Sequence, residues 1–143
     1  MFKLRPYSRK ISRSLVKEPK IYVYDYCRIQ DEALRFENMV AVELRRAVTL
    51  WTDFGFGEYQ LWYLRNKEKQ EVDFLVTENT QPLFMVEAKF SDVAVSPNLI
   101  KFQNALNVPA IQLVHQKNVA RKIKNEKNVV IVASAADWLA GLN

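Results

Sequence analysis

The 143-residue sequence contains one cysteine, one histidine and three glycines, and these shortages exclude several kinds of site. The single cysteine, Cys27, cannot form an internal disulfide, which fits a reducing cytoplasm. One Cys and one His cannot complete a Cys/His zinc site, and a Cys27–His115 nucleophile pair is an unfavoured alternative. No glycine lies in a G-x-x-x-x-G-K-[ST] loop, so the sequence predicts no ATP site of that type.

Long apolar runs are absent too, although hydrophobic residues make up 49% of the chain. No run approaches the roughly 20 residues that a membrane-spanning helix needs. The N-terminus also lacks the apolar segment of a secretory signal. The composition therefore predicts one cytoplasmic domain with a real core and no membrane partner.

Positive charge is concentrated in the first 20 residues, which contain seven Lys and Arg residues and a single acid, Glu18. We interpret residues 1–20 as a basic N-terminal arm and residues 21–143 as an α/β domain. A second basic cluster lies near residue 121. The weakly predicted contacts to nucleic-acid phosphate are Arg9, Lys10, Arg13, Arg121, Lys122 and Lys124. The alternatives of equal weight are that these cations are merely solvated, or that the arm docks on a further part of a larger protein.

Apolar periodicity and turn residues predict an alternating order of helices and strands. The predicted elements are a strand at 21–25, a helix at 31–51, strands at 59–65, 71–77 and 83–90, a helix at 96–106, a strand at 110–115, a basic helix or turn near 118–126, a strand at 129–133 and a short helix that ends at Gly141. From the long helix onward the order is helix, three strands, helix, strand. This order predicts an α/β sandwich with a mixed central sheet flanked by helices.

The hairpin of the second and third of these strands carries the most informative residues. If Thr77 pairs with Leu83, then Asp73 pairs with Glu87, and strand alternation places both acids and Lys89 on one face. Two opposed carboxylates repel unless a cation lies between them, so the pattern predicts a divalent metal. The alternative is a solvated edge hairpin. The apolar residues on both faces favour a covered sheet, where an uncompensated carboxylate is costly.

Glu37 is an acid on the apolar stripe of the long helix, which Asp31 is predicted to cap. Such an acid is usually an edge residue or the partner of a core polar group. Beside Asp73 and Glu87 it becomes a candidate third carboxylate that points from the helix to the sheet. The other side of this helix is predicted to face solvent and carries Arg35, Asn38, Arg45 and Arg46.

These acids, in this order, resemble the core of the PD-(D/E)XK nuclease superfamily, which has an acid on the first helix, an Asp on the second strand and (D/E)-X-K on the third. The matching residues are Glu37, Asp73, Glu87, Ala88 and Lys89, with Gln103 where some members place an accessory polar residue. The resemblance implies a restriction-endonuclease-like fold and a catalytic set of Asp73, Glu87, Lys89 and Glu37. It also implies Mg²⁺ or Mn²⁺ on Asp73, Glu87 and the main-chain carbonyl of Ala88.

A wider stretch, residues 7–90, resembles an uncharacterised C-terminal domain of prokaryotic AAA+-type ATPases. The similar pieces are Leu15–Asp25, Phe36–Leu44, Trp62–Arg65, Glu71–Phe74 and Glu87–Lys89. Members of that family carry an ATPase domain and a winged-helix segment before this region. The resemblance therefore implies that residues 1–20 are the end of a winged-helix segment, and that an ATPase domain or a second copy of the chain is a partner.

Three functional hypotheses follow from these patterns. The leading one is a metal-dependent nuclease that acts on nucleic-acid phosphodiesters. The alternative is a non-catalytic binding or regulatory domain of an AAA+-type ATPase system that keeps the nuclease fold. The third is a relic of a truncated gene without a present role.

Overall fold

The computed structural model describes residues 1–8, 17–91 and 93–142, and these ranges contain eight strands, three α-helices and one 3₁₀ turn. In chain order the elements are β1 Phe2–Leu4, β2 Lys20–Tyr22, the 3₁₀ turn Tyr26–Arg28, α1 Glu32–Asp53, β3 Tyr59–Arg65, β4 Glu71–Glu78, β5 Gln81–Lys89, α2 Pro97–Leu106, β6 Ala110–Val114, β7 Ala120–Asn125, β8 Asn128–Ser134 and α3 Ala135–Ala140. The predicted order of helix, three strands, helix, strand is confirmed. None of the helices in the described ranges is long and apolar enough to span a membrane.

The central sheet has six strands in the order β3-β4-β5-β6-β8-β7. β3, β4 and β5 form an antiparallel meander, β5, β6 and β8 are parallel, and β7 returns antiparallel to β8 at the edge. β1 and β2 form a separate two-stranded ribbon. The predicted mixed sheet flanked by helices is confirmed.

Helix α1 forms where the sequence places both a cap and an apolar stripe. The Oδ1 atom of Asp31 accepts a hydrogen bond from the Leu34 N–H at 2.9 Å, which satisfies one free donor of the first turn. Phe36, Val40 and Leu44 on the stripe are buried against the sheet. The helix ends at Asp53, and Gly55 then adopts a φ of +83°, a conformation that side chains rarely tolerate.

The sheet separates two apolar cores, one on each face. The larger core lies under α1 and α3 and includes Phe74 and Val86. The smaller core lies under α2 and includes Leu75, Met85 and Leu99. Neighbouring residues on β4 and β5 thus point into different cores, as strand alternation requires.

The β4–β5 hairpin differs from the prediction at its turn. Leu75 lies opposite Met85 as predicted, but Thr77 lies opposite Pro82 rather than Leu83, because β5 carries a bulge there. The turn is Asn79-Thr80, with φ values of 49° and 71°, as two-residue hairpin turns with both central residues at positive φ require. The predicted five-residue loop is therefore wrong.

A second bulge lies in β4 itself. β3 pairs Trp62 with Leu75 and Leu64 with Val72, so that Asp73 and Phe74 both lie opposite the single residue between Trp62 and Leu64. The bulge breaks the alternation, and Val72 packs in the α2-side core instead of beside Phe74. Strict strand alternation would place Val72 and Phe74 on one face, and the bulge separates them.

The predicted basic helix or turn near 118–126 is instead the edge strand β7. Its backbone pairs with β8, and Ile123 lies opposite Val130. Arg121, Lys122 and Lys124 stay exposed. Charged side chains are usual on an edge strand, where they hinder pairing with other chains.

The start of the predicted basic arm packs on the domain. Phe2 and Leu4 are buried in the larger core, and Pro6 forms a parallel bridge with Tyr63 on the outer edge of β3. The Tyr7 N–H donates to the Tyr63 carbonyl at 2.8 Å. That residues 1–20 correspond to the end of a winged-helix segment stays a prediction. The three arm residues with predicted nucleic-acid contacts, Arg9, Lys10 and Arg13, lie outside the described residues.

Candidate functional site

Glu37, Asp73 and Glu87 form what we call the acid cluster, at the end of the paired part of β4 and β5. The backbone pairing of these strands ends at Phe74 and Val86. Beyond that point, the Ala88 N–H donates to Asp73 Oδ2 at 2.9 Å and the Asp73 N–H donates to Glu87 Oε1 at 3.3 Å. Carboxylates therefore bridge the two strands where the ladder stops.

Glu37 reaches this cluster from α1, as predicted from its place on the apolar stripe. The Asp73 side chain lies within hydrogen-bonding reach of the carboxyl groups of both Glu37 and Glu87. The Tyr22 hydroxyl donates to Glu37 Oε2 at 2.8 Å. The structure thus brings together all three acids that the sequence singled out.

Burial and mutual repulsion change how these acids hold protons. Burial raises the pKa of Asp73 well above its usual range, and the neighbouring Glu87 raises it further, against smaller lowering effects of the Ala88 N–H and Lys20. Burial also raises the pKa of Glu37, and the charge of Asp73 adds to this. Asp73 and Glu37 therefore retain protons to higher pH than exposed carboxyl groups do.

Lys20 supplies positive charge to the cluster. Its Nζ atom lies 3.1 Å from Glu71 Oε2 and 4.9 Å from the centroid of the Tyr63 ring. Burial alone lowers the pKa of Lys20, but attraction to Asp73, Glu71 and Glu37 outweighs this, and the net pKa is raised. From the sequence, Lys20 is predicted only as an arm residue, because the pairing of β1 with β2 is what places it here.

Asn38 fixes the ribbon that carries Lys20. Its Nδ2 atom donates to the Val23 carbonyl at 2.6 Å, and its Oδ1 atom accepts from the Val23 N–H at 3.1 Å. Asn38 is 5% exposed, so its predicted solvent-facing position is wrong. The two backbone bonds explain how a polar side chain is buried here. Together with the hydrogen bond from Tyr22 to Glu37, these two bonds hold the end of β2 against α1.

Lys89 follows Glu87 by two residues, so strand alternation places it on the same side of β5. Its side chain is half-buried, and within residues 1–8, 17–91 and 93–142 no hydrogen bond or ion pair to its ammonium is recorded. The next residue, Phe90, stacks on the His115 ring at 4.8 Å. The catalytic role of Lys89 and the metal contact of the Ala88 carbonyl stay predictions.

Gln103 does not join the acid cluster. Its Nε2 atom donates to the carbonyls of Val108 and Val129, at 3.1 and 3.0 Å. These carbonyls lie beside the starts of β6 and β8. β5 runs parallel to these two strands, and the acids lie near its C-terminal end. The side chain is completely buried and joins the α2–β6 connection to the sheet.

The amide beside the cluster is Gln112, which the sequence analysis missed. It is completely buried on β6 and lies next to Glu87 in the strand register. Its Oε1 atom accepts from the Ser96 N–H at 2.9 Å, which fixes the start of α2. A polar residue in the middle of the apolar strand Ala110–Val114 was the available signal.

The three basic residues of β7 also lie apart from the cluster. β7 is separated from β5 by β6 and β8. Three strand spacings correspond to about 14 Å. The predicted contact of Arg121, Lys122 and Lys124 with nucleic acid stays a prediction.

The cluster has the chemistry of a magnesium site without its geometry. Carboxylate oxygens suit Mg²⁺ or Mn²⁺. However, the described residues contain no group of three or more His, Cys, Asp or Glu side chains that is placed to hold a metal ion. The acids contact one another and backbone N–H groups instead. The three acids are therefore not placed as joint ligands of one ion, and metal binding by Asp73, Glu87 and the Ala88 carbonyl stays a prediction.

Comparison with known proteins identifies the family. The family described as "Domain of unknown function (DUF4143)" matches residues 34–136, which include the whole acid cluster. The chain belongs to the DUF4143 family. A search of curated proteins finds no match to this DUF4143 chain.

The DUF4143 chain is also similar in fold to a solved structure. That structure is described as "Refined half-complex from tetradecameric assembly of Thermococcus gammatolerans McrB AAA+ hexamers with bound McrC". The TM-score is 0.50 at 14% identity, over 73% of the DUF4143 chain. The match spans 28% of the other chain, so it is a likeness of one part of a larger protein.

Proposed function

We propose that this chain is a non-catalytic binding or regulatory domain of an AAA+-type ATPase system, and that it keeps a restriction-endonuclease-like core. The proposal agrees with the DUF4143 match and with the likeness to a chain of an assembly of AAA+ hexamers. The partner is then an ATPase domain, or a second copy of the chain within such an assembly.

One observation carries this proposal: the acids of the cluster take their hydrogen bonds and their nearby positive charge from within the chain. Each acid has a donor or a cation close by, namely Ala88 and Lys20 for Asp73, the Asp73 N–H for Glu87 and Tyr22 for Glu37. A buried charge needs such compensation. A cluster that is compensated in this way can serve as part of the fold.

The test is the effect of this chain on ATP hydrolysis. AAA+-type ATPases of the same organism are purified singly, and the rate of each is measured with and without an excess of the chain. We expect at least one rate to change several-fold, and the Asp73→Asn variant to act like the wild type, because the cluster is structural in this proposal. No change with any ATPase, or an effect that disappears with Asp73→Asn, would contradict it.

The convergence of Glu37, Asp73 and Glu87 favours a second candidate, a metal-dependent phosphodiesterase. The expected ligands are Asp73, Glu87 and the Ala88 carbonyl, with Glu37 and Lys89 in supporting roles. When bound, Mg²⁺ or Mn²⁺ would supply an activated water and stabilise negative charge on phosphate. The three acids are not placed as joint ligands of one ion, so this candidate requires them to rearrange around the metal.

Melting and cleavage experiments separate the two candidates. For the enzyme, millimolar Mn²⁺ should raise the melting temperature, since an ion that binds only the folded state stabilises it. Asp73→Asn should lose that gain, and Lys89→Ala should lose Mn²⁺-dependent cleavage of DNA and RNA oligonucleotides. For the non-catalytic domain, no substrate is cleaved by the wild type. Gln103→Ala is the control for Lys89→Ala, because the Gln103 side chain contacts the end of the sheet that is far from the acids. This variant should lose cleavage only in proportion to any loss of folded protein.

A further inference from the structure

A polar groove lies on another part of the chain, away from the acid cluster. It has a volume of about 340 Å³ and lies between β1, the C-terminal half of α1 and the outer strand β3. Its polar lining includes Lys3, Arg5, Arg45, Thr49 and Gln60. We call it the cationic groove. Arg45 follows Glu37 by eight residues on α1, which corresponds to about 12 Å along the helix.

The cations of this groove have no acidic partner among the described residues. The four ion pairs within those residues use Lys20, Arg28, Arg46 and Arg65. Asp53 is the one acid that lines the groove, against three cations. The groove therefore carries a net positive charge, and none of its three cations forms an ion pair within the described residues.

The groove is also held in shape by the fold. The Tyr63 N–H donates to the Arg5 carbonyl at 3.1 Å, which fixes the backbone of Arg5 on the edge of β3. The Arg45 guanidinium lies 5.4 Å from the centroid of the Phe2 ring, and Phe2 is buried. Preorganised cations lose less freedom on binding than mobile ones, so they favour an anionic ligand.

The donors suit phosphate better than carboxylate. Arginine forks, an ammonium, a hydroxyl and a side-chain amide are the groups that contact phosphate oxygens in protein–nucleic acid complexes. A phosphate has more acceptor oxygens than a carboxylate, and several converging donors can satisfy them.

The loop beside the groove carries two exposed rings. Phe54 and Phe56 are 68% and 69% exposed, and their ring centroids are 6.3 Å apart. They directly follow Asp53 at the end of α1. Exposed aromatic rings next to a positively charged groove are the features that bind single-stranded nucleic acid, through base stacking and phosphate contacts.

We propose that the cationic groove is a phosphate-binding site, separate from the acid cluster, whose ligand is a nucleic-acid strand or a free oligophosphate. The proposal goes beyond the ATPase-linked function and does not depend on it. The residues that carry it are Lys3, Arg5 and Arg45.

The test is the binding of a short fluorescent oligothymidylate, measured by anisotropy in EDTA so that no divalent metal contributes. Arg5→Gln and Arg45→Gln should each weaken binding several-fold. Each should also lower the slope of log affinity against log salt by about 0.7, the value for one lost contact to a single strand. Arg46→Gln is the matched control, because Arg46 is the next residue of α1 and pairs with Glu43 outside the groove. It should bind like the wild type, and all variants should keep the wild-type melting temperature.

Competition identifies the source of the phosphate. If oligothymidylate binds and tripolyphosphate displaces it, the site is supported. If oligothymidylate does not bind but tripolyphosphate does, and Arg45→Gln weakens that binding, the site is also supported and its ligand is a free oligophosphate. Equal weakening by Arg45→Gln and Arg46→Gln would overturn the proposal, as would no binding of either phosphate ligand. Preferential binding of polyglutamate would also overturn it. Because the assay contains EDTA, no metal-dependent binding at the acid cluster contributes, so failure of this site is distinguishable from failure of the acid cluster.

Discussion

The acid cluster and the cationic groove lie on opposite faces of the β1–β2 ribbon and differ in both charge and exposure. Lys20 and Tyr22 face the acids, whereas Lys3, on the other face, lines the groove. Glu87 is 4% exposed, but Lys3 and Arg45 are exposed. Buried acids must be compensated by the fold, and exposed cations need not be. The cluster should therefore control stability, and the groove should control binding.

The largest effect is expected where the ribbon is fixed. Asn38→Ala removes both hydrogen bonds to Val23 and leaves its half-buried backbone groups unpaired, so it should lower the free energy of unfolding by about 2–4 kcal/mol. It should disturb both sites, because the ribbon contributes to each. Urea unfolding measures the change. Arg46→Ala on the same helix is the control, with a loss below about 1 kcal/mol. Equal losses for the two variants would show that the ribbon is not held by Asn38.

An intermediate effect is expected within the acid cluster. Asp73→Asn removes a buried charge, and the amide can still accept from the Ala88 N–H, so near neutral pH it should stabilise the chain by about 1 kcal/mol. A carboxyl group with a raised pKa binds protons more tightly in the folded state, so its contribution to stability falls as the pH rises.

The pH dependence sharpens this prediction. The advantage of Asp73→Asn over the wild type should be smallest near pH 4, close to the ordinary pKa values of 3.8 for Asp and 4.5 for Glu, and should grow towards neutrality. Glu68→Gln, on the exposed β3–β4 turn, is the control and should show no such growth. Thermal melts from pH 4 to 8 measure it. An advantage that shrinks towards neutrality would contradict burial as the cause.

The smallest effect on stability is expected in the cationic groove. Arg45→Gln should change the free energy of unfolding by less than about 0.5 kcal/mol, because Arg45 is exposed and makes no ion pair with the described residues. Its main interaction is with the Phe2 ring. The same urea series measures it. A loss as large as that of Asn38→Ala would mean that the groove is part of the core rather than a binding surface.

The sequence predicted the strand register up to the acid cluster, although it misplaced the turn. The true turn is shorter than the predicted loop, which shifts the register by one residue. The bulge at Leu83 adds one residue to β5 and shifts the register back, so Leu75 still lies opposite Met85. Glu37 was predictable because helix periodicity is local. Asp73 and Glu87 lie on neighbouring strands joined by a short turn, which is nearly local too.

The remaining errors involve contacts between distant parts of the chain. Lys20 and Asn38 each depend on where the β1–β2 ribbon docks, and neither local sequence indicates it. The strand β7 was missed because Ile123 is its one large apolar residue, so its structure depends on pairing with β8. Strand formation that comes from a partner strand rather than from the local pattern is hard to predict from sequence.

The bridge between Pro6 and Tyr63 has a consequence for how copies of the chain behave in solution. It covers part of the outer edge of β3, where open N–H and C=O groups would accept a strand from another molecule. Proline suits this position because it offers no N–H of its own to a further strand. Removing residues 1–8 would uncover this edge, so the shortened chain should self-associate and aggregate at concentrations where the full chain stays dispersed.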